Sequence, residues 1–194
     1  MDILNIINLF YPEENGLRSL LLAHSMQVKN KALAILDSPE CPVLKINRKL
    51  VEHGALLHDI GIGLCHAPTI LCMGKEHYIR HGILGAERLR RLASEDSFSE
   101  NDCAELELCA KICERHTGAG LSKEDIIVQN LPLPHADFLP VSPEEKLICL
   151  ADKFFSKSGD KQEKNLENIL KGMQKFGQDT VKRFQELCDF FGVH

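Results

Sequence analysis

The chain has 194 residues, 44% of them hydrophobic and 26% charged, with no tryptophan and a formal net charge of −5. Length and mix specify one ordinary globular domain spanning 1–194, large enough to bury a proper core. The acidic balance argues against an extended nucleic-acid surface, which is normally basic; a small anionic substrate needs a locally supplied cation.

Residues 1–10 are too few and lack the basic start that a signal peptide or membrane span would show. With no Cys-x-x-Cys among the eight cysteines, these read as reduced, mostly buried small hydrophobes of a cytoplasmic protein without membrane attachment. Cys109 and Cys113, at helical i, i+4 spacing, also admit a soft-metal or redox site beside the core reading.

Periodicity is helical nearly throughout, which predicts an all-α fold, a compact multi-helix bundle. A first long helix runs from Gly16 to Leu36 and stops before the turn cluster Ser38-Pro39-Glu40-Cys41-Pro42. A second is capped by Asn47 and reaches about Asp59, where Gly61 and Gly63 break it. Residues 62–74 read as irregular, 75–93 as the third helix, 94–101 as a polar loop, and 101–116 as the fourth helix. Ser122 caps a short helix to Gln129, and the proline-rich stretch after it excludes a long element. Ser142-Pro143-Glu144-Glu145 carries a cap, a proline at the first helical position and a glutamate at the third, so a helix follows to about Ser156. One or two further helices fill 160–192. Nothing heptad-like argues for a dimer, although the exposed helical surface suits a homodimer.

Several polar residues fall on apolar faces of these helices. His24 shares a face with Leu17, Leu21 and Val28. His58 and Asp59 end an apolar helix just before glycine. His116 continues the face of Leu106, Cys109 and Cys113 and also ends its helix. Asp152 lies between Ile148 and Phe155, where a carboxylate is costly unless it is paired or holds a metal. The plain alternatives are a core histidine bonded to backbone at 24 and an arginine ion pair at 152. His81 is a further candidate, and His77, one turn earlier, could replace it; Gly82 and Gly85 allow close backbone approach and favour His81. His53 lies about 140° round its helix from His58 and is not expected to share the site. The candidates are widely and evenly spaced: His24 is 34 residues before His58, His81 is 22 after Asp59, His116 35 further on, and Asp152 36 beyond that. Four imidazoles and two carboxylates suffice for two metal ions with Asp59 as the bridge. This donor mix suits Fe, Mn, Co, Ni or Zn, with Mg admitted, better than Ca.

The order His24, His58-Asp59, His81, His116, Asp152 resembles the HD superfamily of metal-dependent phosphohydrolases. His58-Asp59-Ile60-Gly61 is similar to the form written HDIG, in the subgroup that holds two metals. His81-Gly82-Ile83-Leu84-Gly85-Ala86, Glu114-Arg115-His116-Thr117-Gly118 and Ala151-Asp152-Lys153 fit the remaining stretches, and the resemblance covers about 18–158. It implies an all-α HD-like bundle around a buried site, with His24, His58, Asp59 and Asp152 on one ion and Asp59, His81 and His116 on the second. One departure is Ile62, where many members carry Lys or Arg facing the substrate phosphate. The Gly-Tyr-Pro motif of the cyclic-di-GMP branch is absent.

The expected activity is hydrolysis of a small phosphoester, a nucleotide by preference, through a metal-activated hydroxide in which Asp59 takes part. Lys153 and Arg115, next to two of the ligands, are the candidate catalytic cations. Two other readings stay open: a catalytically weak nucleotide-binding or sensor domain, which the lost base at 62 favours, and a di-iron oxygenase of HD-like type.

Overall fold

The computed structural model describes residues 1–43, 45–95, 97–159 and 161–194. Helix α1 (Ile3–Phe10) opens the chain, capped by Asp2, whose carboxylate accepts from the Leu4 and Asn5 amides. It was not anticipated. Its apolar Ile3, Ile6 and Ile7 are buried, so tertiary packing stabilises a helix too short to persist alone. Helix α2 (Gly16–Leu36) follows the predicted limits and buries His24 with Leu21 and Val28. Helix α3 (Arg48–Leu57) is capped by Asn47, as read, and ends at His58.

Residues 62–74 form 3-10 turns around a two-stranded antiparallel ladder, β1 (His66–Ala67) and β2 (Cys72–Met73). Helix α4 (His81–Ala93) starts six residues later than predicted. The reason lies in the backbone of 75–76. The Lys75 and Glu76 amides donate to Leu64 O, and Glu76 O accepts from His66. Those peptides are committed to the loop, and His77 then caps a 3-10 turn over Tyr78–Arg80.

Helices α5 (Glu100–Arg115) and α6 (Lys123–Val128) lie close to their predicted spans, α6 with a full capping box between Ser122 and Asp125. Helix α7 (Pro143–Asp152) begins at the Ser142-Pro143 signal but ends four residues before the predicted Ser156. The amides of Lys153, Phe154 and Phe155 turn to carbonyls three residues back, which tightens and closes the helix while Phe154 stays buried. Helices α8 (Leu166–Met173) and α9 (Gln178–Phe191) complete the chain. The fold is all-α, as predicted: α4 packs along α5, α2 along α3, and α7 lies against α2, α3, α5 and α9. No described helix is long and apolar enough to cross a membrane.

Candidate metal centre

Two close approaches bring the polar helix ends together. A Cβ on Gly61 would lie 2.1 Å from His81 O, and one on Gly82 would lie 2.5 Å from Cys113 O. Only glycine at both positions lets the His58-Asp59 turn, the start of α4 and the end of α5 meet at this distance. Tyr11 clamps the turn from outside. Its hydroxyl donates to Ile60 O (2.9 Å) and accepts from the Gly63 amide (2.9 Å), and burial pushes its pKa up to about 12.

His24, His58, Asp59 and Asp152 converge into one group, and Asp59, His81 and His116 into another; within each, one ligand atom per residue lies within 4.8 Å of the rest. All six are buried. The two oxygens of Asp59 face different groups. Oδ2 is 3.3 Å from His24 Nε2 and 3.1 Å from His58 Nε2. Oδ1 is 3.4 Å from His81 Nε2 and 3.5 Å from His116 Nε2. Asp152 Oδ1 lies 2.9 Å from His24 Nε2. His77, by contrast, is exposed and caps its 3-10 turn, so His81 is the one brought in. His53 faces Glu105 instead.

The rings are held in one tautomer. His58, His81 and His116 each direct Nδ1 at the carbonyl three residues earlier, of Ala55, Tyr78 and Cys113, all at 2.7 Å. Each Nδ1–H therefore donates to backbone and each Nε2 points inward, with its lone pair free on His81 and His116. The Nε2 atoms of His81 and His116 then stand 3.0 Å apart. Two acceptors at that distance repel unless a cation sits between them. Asp59 Oδ1 and His58 Nε2 are buried without a hydrogen-bond partner among the described residues, and Asp59 Oδ2 meets the Lys157 ammonium at 2.6 Å. Buried polar atoms without partners are rare, and here they converge with the right donor chemistry for a divalent metal. The residues fit such a group.

Electrostatics without metal are polarised. Burial would lower the His58 pKa, but Asp59 and Asp152 outweigh it and lift it to about 9. Burial and the neighbouring His116 push His81 down to about 3, and burial lowers His116 as well. Burial alone would raise Asp59, yet His58 and Lys157 hold it well below the usual carboxylate range.

Lys153 Nζ lies 2.6 Å from Asp152 Oδ2, at the rim of the cluster. Arg115 is not in the cluster: its guanidinium meets Glu145 at 3.0 Å, and Glu145 also accepts from the Val141 amide. Ile62 is fully buried. The residue that sequence reasoning missed is Lys157, whose Nζ lies 2.6 Å from Asp59 Oδ2. Cys109 and Cys113 are buried thiols; burial pushes Cys109 up to about 12, and Cys113 Sγ donates to Leu57 O. They are core residues. A cleft of about 500 Å³ opens beside the cluster, lined among others by Thr117, Gly118, Lys153, Asn168, Lys175 and Phe176.

The sequence profile of the HD domain matches residues 21–157. This chain belongs to the HD domain family. An uncharacterised protein of Methanocaldococcus jannaschii is 31% identical over 87% of this HD chain and 86% of its own length. Two proteins named tRNA (cytidine(56)-2′-O)-methyltransferase are also similar. That of Picrophilus torridus is 34% identical over 71% of this chain but only 32% of its own length. That of Thermoplasma volcanium is 30% identical over 92% of this chain and 44% of its own. The HD chain thus spans about a third of one of those relatives and less than half of the other. No solved structure matches it significantly. Residues 164–176, which wall one side of the cleft, lie beyond the profile match.

Proposed function

We propose that this HD protein is a metal-dependent phosphohydrolase acting on a small phosphoester, by preference a nucleotide. One observation carries the reading: Asp59 turns each of its two buried oxygens to a separate set of inward-facing imidazoles. Divalent ions held by His24, His58, Asp59 and Asp152 on one side, and by Asp59, His81 and His116 on the other, would supply an activated water and neutralise phosphoryl oxygens. The chain's own groups do the rest. Anchoring Nδ1–H to a backbone carbonyl keeps Nε2 of the three rings aimed inward, and on His58 a metal would take the place of the proton. Lys153, at the cleft and at Asp152, is placed to meet an anionic group of a bound substrate. Arg115 acts by position in this reading: it holds Glu145 at the start of α7, the helix that ends in Asp152. The cleft volume falls within the range of small-molecule sites, and its mixed lining of apolar side chains, amides and lysines suits a nucleoside phosphate.

Phosphate release from a panel of nucleotides and sugar phosphates tests the reading, with Mn, Co, Ni, Fe, Zn or Mg added and Asp59→Ala in parallel. Two relatives are named as tRNA methyltransferases, so the panel includes nucleoside 2′- and 3′-phosphates and 2′,3′-cyclic phosphates. Metal-dependent release that Asp59→Ala abolishes is the expected result. Bound metal without release from any substrate would favour a sensor domain, and oxygen consumption by the reduced iron form would favour an oxygenase.

A further inference from the structure

Lys157 comes from a polar run, Ser156-Lys157-Ser158-Gly159, that nothing in the sequence marks as part of a site. Yet its ammonium reaches the centre of the molecule, 2.6 Å from an oxygen of the fully buried Asp59, with its own side chain only 12% exposed. The segment that carries it is a strap running from the end of α7 towards α8. The strap is tied down at several points. The Lys164 amide donates to Phe154 O (2.8 Å), Gln27 Nε2 on α2 donates to Lys161 O (3.0 Å), and Lys31 on α2 pairs with Glu163 at 2.6 Å. Phe154 is buried beneath the Lys31 ammonium, 4.1 Å from its ring centroid. A tied strap holds the Lys157 backbone in place and leaves the four-carbon side chain as the part free to move.

The oxygen that Lys157 meets is Oδ2, the one facing His24 and His58. An ammonium there supplies positive charge to the buried carboxylates, on the same oxygen through which a metal in the His24, His58, Asp59 and Asp152 group would be held. Two cations on one carboxylate oxygen repel strongly, so a divalent ion would compete with the ammonium. Once displaced, the ammonium remains within reach of the site because the strap is tied, and repulsion from a divalent ion drives it to the nearest available anion. In a phosphohydrolase that anion is a phosphoryl oxygen of the substrate. Ile62 is fully buried in the core and offers no charge from the other side of the turn.

We propose that Lys157 is a second phosphate-binding cation of this site beside Lys153, parked on Asp59 until a metal ion displaces it. The phosphate half of this statement rests on the phosphohydrolase reading; the parking half does not. The test uses the full chain with Lys157→Met and Lys157→Arg, and two equilibrium titrations, Mn(II) into metal-free protein and inorganic phosphate into the Mn-loaded protein. Lys157→Met should bind Mn(II) about tenfold more tightly than wild type, because no ammonium competes, and phosphate about tenfold or more weakly. Lys157→Arg should keep phosphate binding within a few-fold. Thermal melting supplies a second readout: metal-free Lys157→Met melts below wild type, and its gain on adding Mn(II) exceeds that of wild type. Unchanged or weaker Mn(II) binding in Lys157→Met overturns the parking role, and unchanged phosphate binding overturns the phosphate role. If neither protein binds phosphate while Lys157→Met still binds Mn(II) more tightly, the parking role stands, and the phosphate role falls together with the phosphohydrolase reading.

Discussion

The Nε2 atoms of His81 and His116 stand 3.0 Å apart while the Nδ1 of each ring is bound to a backbone carbonyl. Both rings therefore offer lone pairs to the same point, and both have pKa values pushed down by burial, His81 to about 3. A proton is a poor occupant of that point at neutral pH, and a divalent ion is a good one. Replacing His116 by alanine removes one donor of the three-residue group and none of the four-residue group. The expected outcome is a fall from two bound metals per chain to one, read by elemental analysis of dialysed protein, with turnover reduced by about a hundredfold or more.

Stability in the presence of a chelator should depend on pH in two opposite windows. His58 has its pKa raised to about 9, so the stability it contributes is complete below about pH 6.5 and is lost as pH climbs through 9. The loss is on the order of 3 kcal/mol, shared with Asp59, to which it is coupled. His81 is the reverse case. It is neutral in the fold at about 3, so the unfolded chain binds more protons below 6.5, and stability falls as pH drops from there towards 3. Denaturant titrations at pH 5, 6.5 and 9 measure both limbs. Metal affinity should rise with pH up to about 9, since binding must expel the His58 proton.

Tyr11 reaches across 49 residues to Ile60. In Tyr11→Phe the Gly63 amide loses its acceptor and Ile60 O keeps only Arg88, at 3.3 Å. The expected cost is about 1–3 kcal/mol of stability, measured by denaturation. Loosening the turn that carries His58 and Asp59 should also weaken metal binding about tenfold, a loss that a purely structural role would not produce.

Much of the architecture is legible because it is local. The Asn47 cap, the Ser142-Pro143-Glu145 start and the face of Leu17, Leu21, His24 and Val28 all act within a few residues. The same locality exposes His24 and Asp152 as polar groups set among apolar neighbours. The choice between His77 and His81 is not local, because it turns on Lys75 and Glu76 being paired to Leu64 and His66. Lys157 is hidden for the same reason: its inward position depends on ties to Gln27 and Lys31, more than a hundred residues away in sequence. Helix α1 escapes notice because an apolar run of eight residues is too short to tell a helix from a buried strand.

Lys175 and Phe176 line the cleft away from the metal ligands, with the Lys175 ammonium 4.8 Å from the Phe176 ring centroid. Phe176→Ala and Lys175→Ala should raise KM for the preferred substrate by about five- to tenfold while kcat stays within twofold, since they touch only the part of the substrate that does not react. Steady-state kinetics separate the two effects. A fall in kcat with unchanged KM would move the substrate out of this cleft.

The most direct measurement is anomalous X-ray scattering from crystals of the chain grown with Mn(II). The account predicts two peaks flanking Asp59, one against His24, His58 and Asp152 and the other against His81 and His116. Density with no peak within bonding distance of either Asp59 oxygen would contradict it.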